Sequence, residues 1–524
     1  MTDSSVEADE GDAGDAADYG DDTAEAVGPP ALSAGGAAVG PDAVSYPRRI
    51  RQLASIRPAQ TALRFAAIDG PERVIDWPEL DVRSTQIARG LAADGLGAGD
   101  RVAVELHNSP ELVETVLAAW KLGAVPVPVR WDLPDWERAR VLEVIGAKTV
   151  INADSTAWLA DTRALDDTPL PDLIPAQTHG ICSSGSTGTP KVILMDRPAV
   201  WDPATSEPFP SGWMEVPRPQ VILVPAPLYH TNGFATLSSL IAGDEIVLME
   251  KFNAARVVEL IERHRVTTFT ATPTMLQRIA DLPNLDQRDL SSIVWVLQGA
   301  AVIGSSLVRR WLDLVGPEHL FMAYGMTEGL GLTALRGDEW LTHAGSVGRG
   351  YRDTEIRILD GDGHDLAAGE IGEIFLRSPT SGLYRYLGGA PLLASTDDGF
   401  STAGDMGYLD DDGFLYILDR RVDMVITGGA NVFPAEVESA LIDHPAVADV
   451  VVIGLTDPEW GRRVHAVIEP ADHAGPPDAA EIIAFAKTRL APYKVPKSVE
   501  FVDFIPRTEA TKVSRAALIA AREG

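Results

Sequence analysis

Apolar residues along this chain come in two alternating patterns: short runs rich in β-branched residues, and longer stretches in which apolar positions recur every three or four residues. Residues 61–67 read as a strand and residues 84–96 as an amphipathic helix. Ser109 and Pro110 supply an N-cap and a first helical residue. Leu112, Val113, Val116, Leu117 and Trp120 follow at helical spacing, and Gly123 can stop the turn. An apolar strand over 124–129 comes next. Val221–Val224 and residues 246–248, 267–271 and 293–297 are short runs of the kind buried on both faces of a sheet. The rhythm is that of an α/β fold.

Past Asp419, Arg420 and Arg421 the pattern changes. A helix near 434–442, strands at 450–453 and 464–468, a helix near 479–490 and a strand at 499–502 predict a small α+β domain of about a hundred residues. The expected organisation is a tail over 1–42, a large N-terminal α/β domain of several subdomains over 43–419, and a small C-terminal domain over 420–524. The segment 201–219, with its prolines and tryptophans, reads as a surface loop rather than a lid.

Composition sharpens this picture. With 524 residues and 45% hydrophobic content the chain needs more than one core. A formal charge of −32 excludes an electrostatic nucleic-acid binder, which would need clustered Lys and Arg. Residues 1–42 hold eleven acids and no Lys or Arg, a composition that buries too little apolar area to offset its ordering entropy. Neither a leader pattern nor an apolar run of spanning length is present, so the expectation is a cytoplasmic protein without a membrane span. A single cysteine, Cys182, permits no internal disulfide and no multi-thiolate metal site, and reads as a small buried residue.

The segment with most chemistry runs from Ile181 to Lys191. Ser183, Ser184, Gly185, Ser186, Thr187 and Gly188 form a hydroxyl- and glycine-rich loop that ends in a lysine. Such a loop lets backbone N–H groups converge on phosphate oxygens while Lys191 adds a compact positive charge. An ordinary flexible loop has the same composition. The chain has only eight lysines, however, which makes one at this place less of an accident. Lys191 follows Pro190 and precedes Val192, so the spacing fails the pattern of kinase-like P-loops.

This loop resembles the phosphate-binding signature of the adenylate-forming superfamily, which contains acyl-CoA synthetases, luciferases and peptide-synthetase adenylation domains. Further segments match in the family's order. Pro227-Leu228-Tyr229-His230 with Thr231 to Phe234 is similar to a motif whose histidine borders the acid pocket. Gln298-Gly299-Ala300-Ala301 resembles the loop flanking adenine, and Tyr324-Gly325-Met326-Thr327-Glu328-Gly329 resembles the family's most specific short motif. Gly404-Asp405, followed by Asp412-Gly413, is similar to the ribose-binding segment. The run from Val425 through Gly428 and Gly429 to Glu438 resembles the start of the mobile C-terminal domain, and Pro506 to Lys512 resembles the catalytic-lysine motif.

The resemblance implies an ATP-dependent, AMP-forming acid–CoA ligase of the acyl-CoA synthetase branch, using ATP, Mg²⁺ and coenzyme A. Tyr324 would stack on adenine, Asp405 and Arg420 would bind ribose, and Thr327 and Glu328 would face phosphates and Mg²⁺, with Glu328 as the metal ligand. His230 would orient the substrate carboxylate. Lys512 would bridge the attacking carboxylate and the α-phosphate, two anions whose repulsion must be neutralised. After a domain rotation, the Gly428–Gly429 loop would face the pantetheine tunnel. The resemblance also leaves room for a homodimer.

Departures from the family pattern are Val192 after the lysine, Asp419 before Arg420, Val422 at the hinge and Thr511 before Lys512. They bear more on the thioester step than on adenylation. The rival readings are a ligase that passes the acyl group to an amine or a carrier-protein thiol, and a non-catalytic nucleotide or acyl-adenylate sensor. The joint presence of Lys191, Glu328, Asp405 and Lys512 opposes the sensor. Residues near 230–240, 272–275 and 298–326 would line the acid pocket. They are mainly small or apolar, which predicts an apolar carboxylic acid of undetermined chain length, and Gly233, Ala235, Ala300 and Ala301 leave room for a ring, as in ligases for aromatic or bile-acid-like acids.

Overall fold

The computed structural model describes residues 40–183, 191–301, 303–420, 423–473, 475–507 and 513–523, without the side chains of Ser183 and Arg420. The sequence reading of 1–39, 184–190, 421–422 and 508–512 therefore lies outside the described residues.

The β-branched runs form the middle of a nine-stranded sheet. Glu245–Met249, Val221–Val224, Thr268–Ala271, Trp295–Gln298 and Leu320–Gly325 lie side by side and parallel, with Thr61–Ala66 parallel beyond Glu245–Met249. Buried on both faces, these strands have no need to alternate apolar with polar. The helices Ala254–His264, Pro273–Ala280 and Ser305–Val315 connect successive strands and pack a core around Phe269, Trp311 and Trp340. All these strands deliver their carboxyl ends to one edge, where open α/β sheets place their ligands.

A second core joins the helices Tyr46–Ile56, Trp77–Ala93 and Pro110–Lys121 to the parallel three-stranded sheet Val125–Pro128, Arg101–Glu105 and Thr149–Asn152. Ser109 accepts a hydrogen bond from Leu112 N at 3.2 Å, with Pro110 opening the helix. Gly123 takes φ +69°, a value that glycine adopts without strain. The helix expected over 84–96 instead runs Trp77–Ala93. Asp76 caps it and Pro78 sits in its first turn, and burial of Trp77 and Leu80 rewards the earlier start. The surface-loop reading of 201–219 is also corrected in part: Phe209 and Trp213 pack on Tyr351 and Phe321, with Phe209 also stacked on Trp295.

Two antiparallel sheets frame the edge that carries the site. Gly180–Ser183, Lys191–Met195 and Tyr384–Leu387 form one, and Glu355–Leu359, Gly372–Arg377, Asp405–Leu409 and Leu415–Arg420 the other. The C-terminal domain is a sheet of Ala430–Val432, Val425–Thr427, Gly461–Pro470, Val447–Asp457 and Ser498–Phe501. The helices Pro434–Leu441 and Ala479–Lys487 share one core with it, and the helix Arg515–Glu523 contributes to another. Among the described residues no helix is long and apolar enough to cross a membrane. Cys182 is half-buried, and burial pushes its thiol up to about 12, as expected of an inert residue.

Candidate active site

The carboxyl edge of the large sheet, the two antiparallel sheets and the C-terminal domain enclose one continuous cleft of about 3370 Å³. A single small ligand occupies roughly 300–1,000 Å³, so the cleft has room for more than one substrate. It brings together Lys191, His230, Gly299, Ala300, Ala301, Tyr324, Gly325, Thr327, Glu328 and Asp405, which lie up to 214 positions apart in sequence.

At one end Lys191, Glu328 and Tyr386 form a compact node. Lys191 is the first residue of its strand and pairs with Ser183 across the hairpin, so its position is fixed by the sheet. Its Nζ lies 3.4 Å from Glu328 Oε1 and 4.2 Å from the centre of the Tyr386 ring. The Tyr386 hydroxyl donates to the same Glu328 oxygen at 2.7 Å. Burial, followed by the bond to Glu328, pushes the Tyr386 phenol far up, so it remains a neutral donor. The ion pair is long, which keeps the lysine charge available to a polyanion. Glu328 is 9% exposed and has a second carboxylate oxygen, suiting it to a hard cation with oxygen ligands.

In the same cleft the Tyr324 hydroxyl donates to Asp405 Oδ2 at 2.6 Å. Asp405 opens its strand just after Gly404, whose φ of +82° turns the chain into the cleft. Gln298 donates its Nε2 to Ala301 O at 2.7 Å and holds the Gly299–Ala301 loop; Ala300 within it adopts the left-handed φ of +74°. A non-glycine residue held there is the kind of backbone strain that gathers at binding sites. Thr231 and Thr327 share a 2.6 Å hydroxyl hydrogen bond, tying the histidine motif to the Tyr324–Gly329 turn. His230 precedes the short helix Thr231–Phe234, and a Cβ on Gly233 would lie 2.2 Å from Pro227 O, so only glycine fits there.

The C-terminal domain reaches the cleft through Arg507, Val513, Ser514 and Arg515. Arg507 and Val513 pair across an antiparallel bridge, and Arg507 grips Asp449 at 2.6 and 2.8 Å. Lys512, between them, lies outside the described residues, as do Ser184, Gly185, Ser186, Thr187 and Gly188. The side chains of Ser183 and Arg420 are likewise outside the description. Gly428 and Gly429 are not brought to the cleft. Gly428 N–H donates to Trp460 O at 2.9 Å, and a Cβ on Gly428 would meet the Trp460 ring at 2.6 Å.

Several groups in the site escaped the sequence reading. Tyr386 sits on a strand that pairs with Lys191–Met195 from almost two hundred positions away, and no local motif signals it. Asp419, an apparent oddity in sequence, accepts the Ala435 amide at 2.8 Å and so anchors the first turn of the helix Pro434–Leu441. Arg515 contacts Glu438 at 2.8 Å, Asp423 at 3.2 Å and Asp419 at 4.0 Å, linking both sides of the hinge. Arg197 enters the cleft as well, and no motif in the sequence pointed to it.

A family model for AMP-binding enzymes matches residues 51–384, and one for the AMP-binding enzyme C-terminal domain matches 436–512. The chain is 35% identical over 481 residues to a feruloyl-CoA synthase from Amycolatopsis sp, covering 87% of this chain and 96% of that protein. It is 31% identical over 501 residues to an indoleacetate–CoA ligase from Aromatoleum aromaticum, covering 89% and 96%. The o-succinylbenzoate CoA synthetase of Bacillus subtilis, solved with its acyl-adenylate intermediate, superposes with a TM-score of 0.77 at 29% identity, over 91% of this chain and 98% of that one. The same synthetase has been solved with ATP and a magnesium ion.

Proposed function

We propose, from the premise that the chain belongs to the AMP-binding enzyme family and is an ATP-dependent, AMP-forming acid–CoA ligase, that its acid is a carboxylic acid bearing an aromatic ring. The observation that carries this reading is the small and apolar lining that Phe234, Ala235, Met275 and Met326 give the cleft that holds His230. Side chains of this kind pack against a ring and leave room for it. Relatives named for feruloyl and indoleacetate substrates support the same class.

In this reading Tyr324 and the Gly299–Ala301 loop hold the adenine, while Asp405, oriented by Tyr324, and Arg420 take the ribose. The loop Ser183, Ser184, Gly185, Ser186, Thr187 and Gly188 wraps the phosphates together with Lys191. Glu328 and Thr327 would hold Mg²⁺, whose charge would ease the departure of pyrophosphate. His230 orients the acid. A carboxylate oxygen attacks the α-phosphorus, the bond to the bridging oxygen breaks, and pyrophosphate leaves with the bonding pair. Lys512 neutralises the two anions that meet. The CoA thiol then loses its proton and attacks the acyl carbon, and AMP departs. For this second step the Gly428–Gly429 loop must reach the cleft, a movement of the C-terminal domain that the separate position of Gly428 supports.

The test is AMP and acyl-CoA formation from ATP, Mg²⁺ and CoA with ferulate, indoleacetate and straight-chain fatty acids. Turnover dependent on CoA and favouring the ring-bearing acids is expected. A preference for straight-chain acids, or AMP release without acyl-CoA, would refute the reading.

A further inference from the structure

Next to the Thr231–Phe234 helix the cleft is lined by a cluster of aromatic side chains and one arginine. Phe234 lies one turn from His230, its amide donating to His230 O at 2.8 Å. Its ring meets that of His179 with centroids 4.5 Å apart and that of Trp120 at 6.4 Å. The Trp120 indole donates to Thr178 O at 2.6 Å, and its ring meets Tyr46 edge-on at 4.8 Å. Arg197, two residues past the strand Lys191–Met195, completes the group. Tyr46, Trp120, His179, Arg197 and Phe234 all line the cleft that holds His230.

Among the described residues Arg197 has no ion-pair partner. Its Nε is shielded from solvent and bonds nothing. The acids nearest in sequence are engaged elsewhere: Asp196 takes Arg385 at 2.6 and 2.7 Å, and Asp202 accepts the amides of Ala204 at 2.9 Å and Gly40 at 3.1 Å. The two described titratable groups that sense its charge, Tyr46 and His179, are neutral. Burial raises the Tyr46 phenol, and its hydroxyl bonds no described residue. Burial, followed by the Arg197 charge, pushes His179 down to about 3, so its ring is uncharged, with Nδ1 3.0 Å from Thr178 Oγ1. Burial also lowers Arg197 itself. A desolvated cation without a partner is costly, and the planar guanidinium fork matches a carboxylate.

We propose that Arg197, with the Tyr46 hydroxyl beside it, receives an anionic oxygen group at the far end of the acid, so that the preferred substrate is an aryl acid with a second carboxylate remote from the activated one. This rests on the aryl-acid reading above, since the acid must run from His230 past Phe234 for its far end to arrive there. Arg197 is thereby a specificity residue. It acts on neither reacting atom.

Steady-state AMP formation would be measured with three phenylpropenoates that differ only at the para position, carrying methyl, hydroxyl or carboxylate, for the wild-type enzyme, R197M, R197K and Y46F. The wild type is expected to favour the carboxylate over the methyl acid by about 10- to 100-fold in kcat/KM, the span of a charge-assisted hydrogen bond. R197M should remove most of that ratio, R197K should keep part of it, and Y46F should lower it modestly. Turnover by the wild type with no preference for the carboxylate overturns the proposal while leaving the aryl-acid reading standing, and needs no variant to fold. A preference for the hydroxyl acid would likewise overturn it. Wild-type silence with all three frames, beside turnover of straight-chain acids, would instead bring down the aryl-acid reading and this proposal with it.

Discussion

The Tyr386 hydroxyl donates to Glu328 at 2.7 Å while the face of the same ring lies 4.2 Å from the Lys191 ammonium. One aromatic side chain thus positions both charged groups of the node, one by a hydrogen bond and the other by its π-face. The sheet register, Tyr386 opposite Ile193, makes this possible by setting the tyrosine beside the start of the lysine strand.

Tyr386→Phe keeps the ring and removes only the donor to a buried carboxylate. The expected result is a loss of about 10- to 100-fold in kcat/KM for ATP, with the acid KM little changed. Initial rates at varied ATP and at varied acid separate the two. An equal loss on both axes would mean that Tyr386 supports the fold of the site rather than the nucleotide end.

Lys512→Ala should slow acyl-adenylate formation by about a hundred- to a thousand-fold, because the two anions then meet without a bridging cation. Supplied acyl-AMP should still react with CoA, since the role proposed for the lysine is confined to the first half-reaction. Single-turnover assays of each half-reaction would show the split, and an equal loss in both would remove Lys512 from its assigned role.

His179 is held neutral, with its imidazole pushed down to about 3 by burial and then by Arg197. The unfolded chain binds a proton at this residue below pH 6.5, whereas the folded chain does not until near pH 3, so acid favours unfolding throughout that window. The contribution to stability is lost at about 1.4 kcal/mol per pH unit on going from pH 6 to pH 4. Thermal midpoints from pH 7 to pH 4 should therefore fall less steeply in His179→Gln than in the wild type. Parallel slopes would show that the histidine is protonated in the folded state.

The parts of the protein that local sequence determined are those written in short windows. The Ser109–Pro110 cap, the buried run Val221–Val224 and the helix that opens at Pro434 each follow from neighbouring residues. So do the motifs around Lys191, His230, Tyr324 and Asp405, which the fold gathers in one cleft, because each is written in a few adjacent residue types. Tertiary structure decided whatever depends on two distant segments meeting. Tyr386 reaches Glu328 only through the pairing of Tyr384–Leu387 with Lys191–Met195. Asp419 reads as an exception until its carboxylate is seen to hold the Ala435 amide. Arg197 belongs to no motif, and only the fold brings it to Tyr46 and His179. The physical reason is common to all three: hydrogen bonds, ion pairs and desolvation act over a few ångströms in space, and sequence separation carries no record of which side chains will be that close.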